Sequence, residues 1–74
     1  MPDTTLDCKG LACPMPIVKL TKAAKAAAPG DTITVLADDP GFGPDVTAWA
    51  EAQGHTLKSL TENGGVFTAV IEIK

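Results

Sequence analysis

The stretch Gly10-Leu11-Ala12-Cys13-Pro14-Met15-Pro16-Ile17 decides how this chain is read. Before it, residues 4–8 (TTLDC) alternate. Leu6 and Cys8 fall on one face and Thr5 and Asp7 on the other, the period of a half-buried strand. Gly10 closes that strand. After it, Ile17, Leu20, Thr21, Ala24 and Ala27 recur at i, i+3, i+4 spacing with Val18 beside them, while Lys19, Lys22 and Lys25 take the other side. The spacing predicts an amphipathic helix over about residues 14–28. Pro14 then stands at the first helical position, where a missing N–H does no harm and a fixed φ suits the helix. Pro29-Gly30 ends the run. Cys13 becomes the expected N-cap, at the positive end of the helix dipole, where a thiolate is favoured.

The rest of the chain repeats the alternation of strand and helix. Residues 31–37 (DTITVLA) are β-branched and alternating, which predicts a second strand. Residues 38–43 (DDPGFG) read as loop. A second helix is expected from Pro44 to about Gln53, with Val46, Trp49 and Ala50 inward and Gly54 at its C′ position. Residues 56–60 form a weaker third strand. Asn63-Gly64-Gly65 is a hairpin turn, and residues 66–73 form the fourth strand with Phe67, Ala69, Ile71 and Ile73 on one face. The order β-α-β-α-β-β, without repeat or linker, predicts an α/β two-layer sandwich. Crossovers of one hand put both helices on one face of the sheet. Strands one to three should run parallel, so the Cys13 loop, the 38–43 loop and the 63–65 turn share the carboxyl edge. Open α/β sheets bind their ligands at that edge. His55 falls at the opposite edge, out of reach of Cys13.

Composition narrows the function. Seventy-four residues make one small domain, 1–74, which buries only ~60% of its unfolded surface. A hydrophobic content of 45% with 20% charged residues is that of a folded chain. A net charge of −3 speaks against tracking nucleic-acid phosphates. Lysines interrupt every apolar run before it could span a membrane. The N-terminus lacks the basic and apolar blocks of a signal peptide, so a cytoplasmic location is expected. Two cysteines in a reducing compartment point to chemistry rather than a disulfide staple. They are also too few, with one remote histidine, for a closed metal site.

Cys13 is the residue expected to do that chemistry. Cysteine is a poor cap beside Ser, Thr, Asp or Asn, so a chain needing only a cap has better choices. The dipole favours the thiolate by roughly 0.3–1 kcal/mol, enough for partial ionisation at neutral pH. Such a thiol suits exchange with an activated sulfur better than attack on carbon. Pro14 and Pro16 remove two amide donors from the first turn and leave the Met15 and Ile17 N–H groups to face the sulfur. Met15 is also a candidate contact for a partner. Cys8 shares the Leu6 face, which predicts a buried, inert thiol, with a resolving thiol for Cys13 as the alternative. Asp38 and Asp39 read as turn and cap residues beside Pro40, and Trp49 as a core anchor.

The motif Asp7-x-x-Gly10-x-x-Cys13-Pro14-x-Pro16, followed by Pro29-Gly30, Asp38-Asp39-Pro40, Trp49 and Gly54-His55, resembles the TusA/SirA family of small sulfur carriers. The likeness covers nearly the whole chain. Cys8 and the glycine-rich stretch 41–44 depart from the family pattern. The resemblance implies a mixed four-stranded sheet of order 1-2-4-3 under two helices, with only the last strand antiparallel. It implies that Cys13 holds a sulfane sulfur as a persulfide; Gly10, Pro14, Met15, Pro16 and Ile17 are the supporting residues expected from their places around it in sequence. A sulfurtransferase or cysteine desulfurase would load it, and an acceptor protein would receive the sulfur. The pathways implied are tRNA thiolation, molybdenum-cofactor maturation and sulfur oxidation. No cofactor, metal, nucleic acid or membrane is expected, and the chain is expected to be a monomer. The resemblance implies a sulfurtransferase-like persulfide carrier rather than a self-sufficient enzyme. The competing readings are a dithiol redox module using Cys8 and Cys13, and a non-catalytic interaction module.

Overall fold

The computed structural model describes residues 3–12 and 15–74. Six elements follow in chain order: β1 (Asp3–Asp7), α1 (Met15–Ala26), β2 (Thr32–Ala37), α2 (Phe42–Gln53), β3 (Thr56–Asn63) and β4 (Val66–Glu72). The sheet order is β1-β2-β4-β3. β1 lies parallel to β2, and β4 runs antiparallel to both β2 and β3. The expected mixed sheet is therefore present, with β4 alone reversed.

Register puts the apolar side chains on one face. Val35 of β2 stands opposite Leu6 and Ala69, and Ile33 opposite Ile71. Ile33, Val35, Ala37, Ala69, Ile71 and Ile73 are all buried. The alternate row, Thr34 with Val70 and Leu36 with Thr68, is half-buried on the other face. Both helices cover the apolar face and touch each other, the Trp49 indole Nε1–H donating to Thr21 Oγ1 at 3.0 Å. Leu20 from α1 and Phe42, Val46, Trp49 and Ala50 from α2 complete the core. Full burial of a side chain such as Leu20 or Phe42 is worth roughly 1.5–3 kcal/mol, so each counts heavily in a chain this short.

Three boundaries differ from the sequence expectation by two residues or more. α1 ends at Ala26 rather than about residue 28, because Ala28 precedes Pro29, whose ring disfavours helical geometry at the residue before it. A turn follows in which the Asp31 N–H donates to the Ala28 carbonyl at 3.0 Å. α2 begins at Phe42, two residues before Pro44. Pro44 sits third in the helix, still among the amides that have no partner inside it. β3 runs on to Asn63 through a bulge between Leu57 and Ser59. The extra residue brings both Leu57 and Leu60 against the core although they are three apart. Gly64 and Gly65 close the hairpin at φ 60° and 84°, the geometry of a two-residue turn with two left-handed positions.

Candidate functional site

Register fixes which loops meet. Asp7 pairs with Leu36, Ala37 with Phe67, and Phe67 with Glu62. The loops after β1 and β2 and the Gly64-Gly65 turn therefore leave the same edge of the sheet. Thr56, Glu72 and Thr32 line the opposite edge. His55 belongs there, its Nδ1 accepting the Lys74 N–H at 3.1 Å and its ring centroid 5.4 Å from that of Trp49. It is on the side of the sheet away from the loop that carries Cys13 in sequence.

The segment leading into that loop is tied down bond by bond. The Cys8 N–H donates to the Leu36 carbonyl at 2.7 Å, continuing the β1–β2 pairing one residue past the strand. The Lys9 N–H donates to Asp7 Oδ1 at 3.1 Å. The Leu11 N–H closes a turn onto the Cys8 carbonyl at 3.2 Å, and Leu11 packs against the core. Gly10 has φ 82°, a left-handed conformation that side chains resist. Its N–H lies between both oxygens of the Asp38 carboxylate, at 3.0 and 3.1 Å. That bond spans 28 residues and links the loop after β1 to the loop after β2. The reading of Asp38 as a local turn residue missed this partner.

The two cysteines fare differently. Cys8 is a free thiol with none of its surface exposed. Burial pushes its pKa up from the ordinary thiol value; Lys19 pulls the other way and Asp7 adds a smaller rise. The burial is what the Leu6 face predicts. Cys13 and Pro14 lie outside the described residues. Among the supporting positions, Gly10 is exposed and Met15 is 44% exposed at the start of α1. Pro16 is buried, and Ile17 is half-buried against the core. The Met15 N–H donates to the Ala12 carbonyl at 2.9 Å. It closes a turn rather than standing free to face a sulfur, which corrects the sequence expectation. Val18, expected beside the buried stripe, is 38% exposed.

The fold and the edge can now be set beside known proteins. The family described as Sulfurtransferase TusA matches residues 4–73. The chain belongs to the TusA family. A protein of Neisseria meningitidis serogroup B is 43% identical over 74 residues, all of both chains. The sulfur carrier protein TusA of Allochromatium vinosum is 39% identical over 70 residues, 95% of this chain and 92% of that protein. The crystal structure of a SirA-like protein from Desulfitobacterium hafniense superposes with a TM-score of 0.80 at 30% identity, over 93% of this chain and 95% of the other. The TusA-family fold thus accounts for the sheet order and the paired helices found here.

Among the described residues no cluster of His, Cys, Asp and Glu is arranged to hold a metal ion. No helix among them is long and apolar enough to cross a membrane.

Proposed function

We propose that this chain is a sulfur carrier whose Cys13 accepts a sulfane sulfur as a persulfide and passes it to a second protein. In loading, the Cys13 thiolate attacks the outer sulfur of a donor persulfide, the donor S–S bond breaks, and the donor leaves as a thiolate. In unloading, an acceptor thiolate attacks the outer sulfur on Cys13 and the Cys13 thiolate is restored. One S–S bond forms and one breaks in each step, so neither oxidant nor reductant is consumed. The donor is a sulfurtransferase or cysteine desulfurase and the acceptor is another thiol protein. The pathway served is tRNA thiolation, molybdenum-cofactor maturation or sulfur oxidation, in the cytoplasm, by the 74 residues acting as one monomeric unit.

The observation that carries the reading is the match to sulfur carriers over nearly the full chain. The burial of Cys8 adds to it, because a thiol with no exposed surface is poorly placed to serve as the resolving partner of a dithiol.

Intact mass after incubation with a small persulfide donor tests the proposal. One added sulfur atom is expected on the wild type and on Cys8→Ser, and none on Cys13→Ser. Loss of two hydrogens that depends on both cysteines would replace the carrier by a redox module. Absence of any adduct on the wild type would leave only an interaction module.

A further inference from the structure

We propose that Asp38 is a positioning residue that latches residues 8–11, the segment that leads in sequence to Cys13, to the loop after β2. This rests on the carrier reading and names a residue that sets how well it works. The segment from Cys8 to Leu11 has two local turn bonds, Lys9 N–H to Asp7 and Leu11 N–H to Cys8. Local bonds of that kind shape a turn but do not fix where it sits relative to the sheet. Beside the packing of Cys8 and Leu11 in the core, two hydrogen bonds do the fixing: the Cys8 N–H on Leu36 and the Gly10 N–H on Asp38. The first belongs to the strand pairing. The second is the side-chain bond that reaches the loop beyond the strand, and both carboxylate oxygens share the one donor.

The anchor of the latch is itself held. Asp38 follows Ala37, which is buried in β2 and paired with Phe67. The next residue, Asp39, accepts the Phe42 N–H at 3.0 Å, where α2 begins. Phe42 is fully buried, so the Asp38 backbone lies between two core anchors. A carboxylate on a rigid base, binding an amide three residues before Cys13, restricts the approach to that cysteine. Restriction of this kind spares a donor or acceptor protein the ordering of the loop when it docks. Gly10 supplies the left-handed turn, and Asp38 holds it.

Asp38 is exposed, so its variants keep the core intact. Asp38→Ala and Asp38→Asn are compared with the wild type by amide exchange at Gly10 in the unloaded protein and by the rate of loading with glutathione persulfide. In Asp38→Ala, Gly10 exchange is expected to rise about 10-fold, the loss of one bond to a charged acceptor at an exposed position. Loading is expected to slow at least about threefold, because a displaced nucleophile loses rate steeply. Asp38→Asn keeps an acceptor oxygen and should restore most of both. Unchanged Gly10 exchange in Asp38→Ala overturns the latch. Faster exchange with unchanged loading overturns the positioning role. Asp38→Asn behaving like Asp38→Ala assigns the effect to charge and overturns it also. Failure of the wild type to take up sulfur removes the carrier reading and the positioning role together, while Gly10 exchange still reads the latch itself.

Discussion

Alkylation of Cys8 in a Cys13→Ser variant is expected to be slow, and its rate measures how often the end of β1 opens. The thiol has no exposed surface, so a reagent in water meets it only after the strand end separates from β2. Separation removes Leu6 and Cys8 from the core, which costs about 2–3 kcal/mol. It also breaks the pairing that ends with the Cys8 N–H on Leu36, at about 0.5–1.5 kcal/mol for each bond. Opening therefore costs about 3–5 kcal/mol, and tenfold per 1.4 kcal/mol makes Cys8 react about 140- to 3,700-fold more slowly than an unfolded thiol. Iodoacetamide labelling followed by intact mass, with and without urea, gives the ratio directly. Labelling of the folded variant within tenfold of the urea rate would refute the burial argument, and with it the case against a Cys8–Cys13 dithiol.

The pH dependence of the same variant has a fixed sign. Burial raises the Cys8 pKa in the folded protein above its ordinary value of 9.0, so the folded state holds its proton longer than the unfolded state. The stability that follows is fully present below the ordinary thiol value and is lost as pH rises through the folded one. Urea midpoints measured from pH 8 upward should fall more steeply in Cys13→Ser than in a variant that also carries Cys8→Ala.

Three further substitutions test local packing and backbone geometry. Gly43→Ala should leave urea stability within about 0.5 kcal/mol: the gain in helix propensity is opposed by Pro44, whose ring disfavours helical geometry at a preceding residue that bears a Cβ, although the added Cβ would sit 3.7 Å from Leu60 and Phe67, an ordinary contact. Gly10→Ala should destabilise it by about 1–2 kcal/mol through the left-handed φ of 82° alone, since nothing lies within 4 Å of the new Cβ. Thr21→Val strips the Trp49 indole of its acceptor and should lower stability by about 1–3 kcal/mol, with a shift in tryptophan emission as the second readout.

Periodicity carried most of the fold, and where it stopped the reasons are physical. β2 was legible because its inward residues alternate without interruption, Ile33, Val35 and Ala37, all buried. The hairpin was legible because two adjacent glycines have few other uses. β3 was cut short at residue 60, since the bulge after Leu57 shifts the inward positions by one and breaks the period of two. Thr61 and Glu62 fall outside the strand that alternation predicts and Asn63 reads as part of the turn, although pairing with β4 makes all three strand at an exposed edge. Phe42 sat between glycines and read as loop, yet it is a core residue in the first turn of α2. A lone aromatic among turn residues gives periodicity nothing to count.

The candidate site shows a sharper limit, which depends on how far a side chain reaches along the chain. Asp7, Asp31 and Glu62 each accept an amide within three residues, as local turn chemistry predicts. Asp38 has the same turn-rich surroundings, but its carboxylate is used 28 residues away. Only the parallel pairing of β1 with β2, which brings Asp7 level with Leu36, places Gly10 within its reach. Alternation likewise named the face that Cys8 occupies but not its depth: Leu6, on the same face, stays half-buried while Cys8 is sealed. The sealing and the latch are both tertiary, so each becomes visible only when the two loops at the carboxyl edge are seen together. Measuring Cys8 labelling in Asp38→Ala, Cys13→Ser therefore asks whether the edge opens as one unit. Labelling faster than in Cys13→Ser alone means that it does, and equal labelling means that the latch governs only the residues beyond Cys8.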